Sequence, residues 1–182
     1  MEKILMITLS NHTSFQDGVF SMYENLKGRY EVSTLTIAGS SYPVSQDKNN
    51  YFVDAPLRPG ITKGTFNFKE IHRMMKIIRK ADFDTVYFES FHIWNYPIIM
   101  YLKLHGIKYS HAINDVIPHE GDPHAKINGM INGLTAKLAD RIILRSSDGL
   151  KNAEKRYPKY KDKLYKVDLW YSFPQYCPPM GN

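Results

Sequence analysis

One cysteine, Cys177, stands in 182 residues. A disulfide within the chain is therefore excluded, as is any zinc or iron–sulfur site built on several thiolates. A reducing, cytoplasmic compartment is the simplest setting for such a chain. Long apolar runs are also lacking. The opening Lys3-Ile4-Leu5-Met6-Ile7-Thr8-Leu9 is too short for a signal peptide's core plus cleavage site, and nowhere do the ~20 apolar residues of a bilayer span run together. The expectation is a soluble or peripheral protein. Two phosphate fingerprints are missing: no G-x-G-x-x-G follows the first strand, and no G-x-x-x-x-G-K-[ST] occurs anywhere. A free-standing dinucleotide or P-loop enzyme is not expected, and a nucleotide-dependent reductase or epimerase is set aside on the same ground. With no G-x-S-x-G elbow, hydrolase chemistry has little support.

What is present describes an ordinary globular domain. Apolar residues make up 43%, charged residues 23% and aromatics 13%, a composition that builds a core and argues against disorder. A single domain of this length buries roughly 70% of its unfolded surface. The net charge is +6, and residues 151–166 alone carry seven Lys or Arg against Glu154 and Asp162, a net +5. The first 150 residues are almost neutral, so the chain lacks the broad basic face of a nucleic-acid binder. Lys155, Arg156, Lys159, Lys161 and Lys163, interleaved with Tyr157, Tyr160 and Tyr165, are read as either a solvated helix end or a contact with an anionic membrane surface.

Strand and helix signals alternate along the chain. Strands are expected at 3–10, 30–37, 51–53, 85–88, 108–114, 141–144 and 165–169, from apolar or alternating runs. Helices are expected at 18–26, capped by Asp17 and stopped by Gly28; along Phe68, Ile71, Met75 and Ile78; over 93–105, with Pro97 in the first turn; along Ile127, Ile131, Leu134 and Leu138; and from the Ser146–Asp148 cap to about 156. Gly129 and Gly133 read as a site of close helix packing. Parallel strands need crossovers, and helices supply them. The fold expected is therefore α/β, a Rossmann-like, doubly wound, mainly parallel sheet with helices on both faces. Residues 1–170 form the domain, and the Pro-rich 171–182 begins a linker.

In such sheets ligands sit outside the carboxyl ends of the strands, which directs attention to the loops 10–18, 38–50, 89–92 and 114–124. The densest polar cluster is Asn114-Asp115-Val116-Ile117-Pro118-His119-Glu120-Gly121-Asp122-Pro123-His124. Asp115 is placed to act as a general base or to orient one, and His119 to do the same near neutral pH. The plain alternative is a turn, because Asp and Asn bond to nearby backbone amides. A metal site from His119, Asp122 and His124 is a minor alternative, since the spacing is not helical. Glu89 could bind a substrate hydroxyl, and Ser90 could do so or cap the next helix. Gly18 could let a ligand approach helix amides or only make a turn. Trp94 and Tyr96 could stack on a sugar, though core packing is the commoner use of aromatics.

Four stretches together resemble the amino-terminal half of a GT-B glycosyltransferase, most closely the family-4-type bacterial enzymes that make capsule, exopolysaccharide or lipopolysaccharide. They are Lys3-Ile4-Leu5-Met6-Ile7-Thr8, Asp84-Thr85-Val86-Tyr87-Phe88-Glu89, Asn114-Asp115-Val116-Ile117-Pro118-His119-Glu120-Gly121, and Ala139-Asp140-Arg141-Ile142-Ile143-Leu144-Arg145-Ser146-Ser147. The likeness runs to about Leu169, and D-V-x-P-H-x-G is its most specific piece.

The resemblance implies an acceptor-binding domain without its donor domain, because no two glutamates stand eight positions apart as the family's paired-glutamate motif requires. It implies Asp115 and His119 as catalytic residues, and Asn11, Asp17, Gly18, Glu89, Ser90, His92 and Asn114 as acceptor contacts. No metal or other cofactor is implied. The nucleotide-sugar is a substrate, held mainly by the other domain. The partners implied are a saccharide or lipid-linked acceptor, a donor-binding domain or subunit and an anionic membrane surface, with no nucleic acid. The location implied is cytoplasmic, or peripheral at the inner face of the cell membrane. The first loop reads Phe15-Gln16-Asp17-Gly18 where the family often has a Gly-Gly pair. A non-catalytic α/β binding or partner subunit of a split glycosyltransferase is the alternative reading.

Overall fold

The computed structural model describes residues 1–10, 12–38, 50–56, 62–117, 121 and 125–168. Asn11, His119, Asp122, His124 and the expected linker lie outside these. Seven strands, β1 (Lys3–Thr8), β2 (Glu31–Ile37), β3 (Asn50–Val53), β4 (Thr85–Phe88), β5 (Lys108–Ala112), β6 (Arg141–Leu144) and β7 (Leu164–Lys166), form one sheet in the order β3-β2-β1-β4-β5-β6-β7. Every pair is parallel. Among the described residues five α-helices accompany them: α1 (Thr13–Leu26), α2 (Phe68–Ala81), α3 (Asn95–Leu104), α4 (Ala125–Leu138) and α5 (Ser147–Arg156).

Alternation along each strand feeds two cores. Leu5 and Ile7, Val86 and Phe88, and Ile142 and Leu144 point to one face, where α2, α3 and α5 add Ile71, Met74, Ile78, Ile98, Leu102 and Ala153. Met6, Tyr87 and Ile143 point to the other face and meet Val19 and Tyr23 of α1. This two-sided burial explains why the strands read as unbroken apolar runs. Order reverses at β1, which lies between β2 and β4, so the switch point falls between β1 and β4, at whose carboxyl ends sheets of this kind bind ligands.

Local chemistry sets the ends of the helices. Gly28 and Gly106 follow α1 and α3 with φ of 94° and 69°, the left-handed conformation that closes a helix without a Cβ penalty. Asn67 and Ser146 cap α2 and α5, accepting from the amides of Glu70 and Gly149.

Several expectations are corrected. Helix α1 starts at Thr13, with His12 at its cap, so Asp17 and Gly18 lie inside the helix and Asp17 caps nothing. Helix α2 buries Met74 fully, packs Met75 partly buried against the same core, and leaves Phe68 exposed. The cap of α3 is Trp94, not Ser90. Gly129 meets the guanidinium of Arg156 and Gly133 faces open space, so the two glycines do not make a close helix pair.

Candidate functional site

The β1–β4 switch point is built around Glu89, the first residue past β4. Its amide donates to Ile7 O on β1 at 2.9 Å, which fixes the residue against the sheet end. The side chain is 2% exposed. Arg145, the first residue past β6, reaches across the edge and donates through Nη2 to Glu89 Oε2 and to the Tyr87 hydroxyl, while Tyr87 donates to the same carboxylate oxygen. The guanidinium also rests on Met22 Sδ of α1 at 3.6 Å. Burial pushes the Glu89 carboxyl above the usual carboxylate range, opposed by the Arg145 charge and the two hydrogen bonds. Burial, then the Glu89 charge, pushes the Tyr87 phenol upward.

Gly18 supplies the space for this group. A Cβ at that position would sit 2.9 Å from Glu89 Oε1 and 3.1 Å from its Cδ. The glycine therefore serves close approach between α1 and the carboxylate; it marks neither a helix start nor a turn. Three neighbouring atoms lack hydrogen-bond partners among the described residues: Arg145 Nε, Asp17 Oδ1 and Gln16 Oε1. Buried polar groups are normally paired, so these three atoms are exceptions among the described residues.

The other expected residues divide clearly. Ser90 is buried, its Oγ 3.3 Å from Thr8 Oγ1 and its carbonyl accepting from Asn95 Nδ2. His92 has both ring nitrogens engaged: Nε2 donates to Pro56 O at 3.1 Å and Nδ1 accepts from the Trp94 amide at 3.2 Å. Burial lowers its pKa. Trp94 is itself core, its indole donating to Thr65 O. His92 and Trp94 thus clamp the 54–56 and 62–66 segments and are not presented to a ligand. Asn114 and Asp115 are exposed just past β5, and the Asp115 carbonyl accepts from Asn132 Nδ2 of α4 at 2.8 Å.

Two residues of this edge were not expected from the sequence. Arg145 follows an apolar strand run directly, and the rule placing ligands at carboxyl ends of strands would have selected it. His111 gave no such signal. It is fully buried in β5, stacked on Phe88, with Nδ1 donating to Ala112 O at 2.8 Å and Nε2 accepting from Asn95 Nδ2. Burial holds its pKa down at about 4.

A cavity of about 500 Å³ lies at the opposite, amino-terminal edge, lined in part by Glu2, Asp84, Lys108 and Asp140. Its carboxylates are occupied: Asp84 accepts from the Lys3 amide, Asp140 from the Tyr109 amide, and Glu2 from Thr85 Oγ1. Among the described residues no group of three His, Cys, Asp or Glu could hold a metal ion, and no helix is long and apolar enough to cross a membrane.

Comparison with known proteins rests on structure alone, since no family model and no curated protein matches the chain. UDP-GlcNAc 2-epimerase from Methanocaldococcus jannaschii superposes with a TM-score of 0.65 at 14% identity, over 91% of this chain and 45% of that one. A glycosyltransferase from Rickettsia africae gives 0.63 at 15% identity, over 92% and 42%. Acinetobacter baumannii MurG gives 0.55 at 11% identity, over 82% and 42%. The fold is one half of a GT-B architecture. The chain spans less than half the length of these GT-B neighbours, and at such identities the likeness concerns the fold. A family-4 type is not distinguished from other GT-B types. Because UDP-GlcNAc 2-epimerases share this fold, the missing glycine fingerprint does not exclude that class.

Proposed function

We propose that this chain is the acceptor-binding half of a glycosyltransferase that moves a sugar from a nucleotide-sugar to a saccharide or lipid-linked acceptor in bacterial polysaccharide synthesis. The observation that carries the reading is the polar cluster around Glu89 at the switch point. Buried polar side chains, some without hydrogen-bond partners among the described residues, stand there at the carboxyl edge of a GT-B-type sheet, and Asp115 stands exposed just past β5. In the reaction, the acceptor hydroxyl oxygen bonds to the anomeric carbon as the bond from that carbon to the nucleoside diphosphate breaks. Asp115, or His119 four residues on, takes the hydroxyl proton. Glu89 and Arg145, locked to each other, act as positioning residues for the edge. Donor charge is stabilised by the complementary domain.

Saturation-transfer NMR on the isolated chain tests this, with saccharides and UDP-sugars as probes, alongside transfer and epimerisation assays. The expected result is saccharide binding that Asp115→Ala weakens at least fivefold while thermal stability is unchanged, with negligible turnover by the chain alone. Robust turnover by the 182 residues, or tight UDP-sugar binding with saccharides ignored, overturns it. The second reading, a non-catalytic binding or partner subunit, is favoured by the internal commitment of Glu89, Ser90 and His92. It predicts that Asp115→Asn leaves kcat unchanged in the assembled enzyme.

A further inference from the structure

Helix α4 is built inside out. Ile127, Met130 and Leu134 are 56%, 75% and 40% exposed, whereas the helix buries Thr135 and Ala136. Asn132 donates its amide inward to Asp115 O. Expected to bury Ile127, Ile131, Leu134 and Leu138, the helix turns much of that stripe outward. At ~100° per residue, Lys126, Lys137, Met130, Leu134 and Ile127 share one arc of about 100°. Both lysines lie along one border of it. A contiguous apolar face of this kind on a helix with no Asp or Glu calls for a covering surface.

The border continues in positive charge. Arg156 of α5 packs against Gly129, on the same flank as the two lysines. Lys163 donates to the carbonyls of Lys137 and Ala139 at the end of α4, at 3.3 and 3.0 Å. These contacts hold the basic 151–166 segment beside α4. Lys161 is paired with Glu154 at 3.4 Å, but Lys155 and Lys159 are exposed with no ion pair among the described residues. The five basic residues expected at a membrane thus have different tasks. Arg156 and Lys163 fasten the segment, Lys161 is neutralised, and Lys155 and Lys159 project.

We infer that the α4 face lies on an anionic lipid surface, with Ile127, Met130 and Leu134 in the headgroup boundary and Lys126, Lys137, Lys155 and Lys159 against lipid phosphates. An apolar stripe bordered by lysine stems is the pattern of an interfacial helix, since the stems lie along the apolar layer while the ammonium groups reach the phosphates. Self-pairing fits less well. A two-fold contact repeats one patch on both copies, and with no carboxylate on α4 it would set lysines against lysines. The inference does not depend on the glycosyltransferase reading, because its test needs no catalysis.

The experiment is co-sedimentation of the full chain with phosphatidylcholine vesicles, with and without 30% phosphatidylglycerol, at low and high salt. Expected is binding only to the anionic vesicles, reduced at least tenfold by Met130→Glu with Ile127→Glu and at least threefold by Lys155→Glu with Lys159→Glu, and weakened by salt. These positions are exposed, so each variant should keep the wild-type melting temperature. Absence of vesicle binding overturns the inference, as does equal binding to neutral vesicles, indifference to the apolar substitutions, or a dimer by light scattering that Met130→Glu dissolves.

Discussion

Glu89 shows how a single side chain depends on its neighbours. Its charge is buried and acceptable only because Arg145 and Tyr87 bond to it, and only because position 18 has no Cβ. Removing one partner of such a buried pair leaves the other uncompensated, so Glu89→Ala should destabilise the fold by about 3–5 kcal/mol. Gly18 makes a sharper test. Inside a helix, Gly→Ala ordinarily stabilises by about 1 kcal/mol. Here the methyl group would sit 2.9 Å from a carboxylate oxygen that cannot swing away, and overpacking of this kind costs about 1–3 kcal/mol. Gly18→Ala should therefore lower the melting temperature in the wild-type background and raise it in Glu89→Ala. Thermal denaturation of the four proteins measures both signs.

At the level of elements, every expected strand and helix is present, because each strand carries an apolar run and several helices carry a cap or stop residue. Ser146 is the clearest case. Its hydroxyl accepts from the Gly149 amide at 2.9 Å, and Ser146→Ala should cost about 1 kcal/mol, read as a fall in urea midpoint without change in slope. The phase of helices was less legible, for identifiable reasons. Met74 and Met75 are adjacent and equally apolar, so periodicity alone cannot choose between them. Asp17 resembles a cap because its residue type suits one, yet the backbone of His12 does that work by accepting from the amides of Phe15 and Gln16. Helix α4 shows the limit of pattern reading, since the apolar face that periodicity assigns to the core is in good part the face this helix exposes. The candidate site was legible in its location, at the carboxyl ends of β1, β4 and β5, and in Glu89 as a residue of that edge. The engagement of His92, the reach of Arg145 and the burial of His111 are tertiary facts that a linear chain does not display.

Across the whole molecule, the parallel sheet brings a histidine into its centre, and stability should follow its proton. His111 titrates near 6.5 when exposed and at about 4 when folded, chiefly through burial. Between these values the unfolded chain binds the extra proton, so stability is complete above about pH 6.5 and is lost as pH falls toward 4. The loss is on the order of 3 kcal/mol. His92 is shifted the same way. Melting curves from pH 7.5 to 4 should show this decline. His111→Asn should start from a lower melting temperature and decline less steeply, whereas parallel curves would assign the pH dependence elsewhere.

The position of β1 also orders events in time. It is made first yet sits mid-sheet, and while Lys3 can pair with Glu31 early, Ile4 must wait for Thr85. Half of its ladder stays open until the chain through β4 has emerged, so a nascent or interrupted chain displays a naked apolar edge to the cell. Loop closures of that span make folding slow, and this protein should rely on chaperones during synthesis more than a helical bundle of equal length.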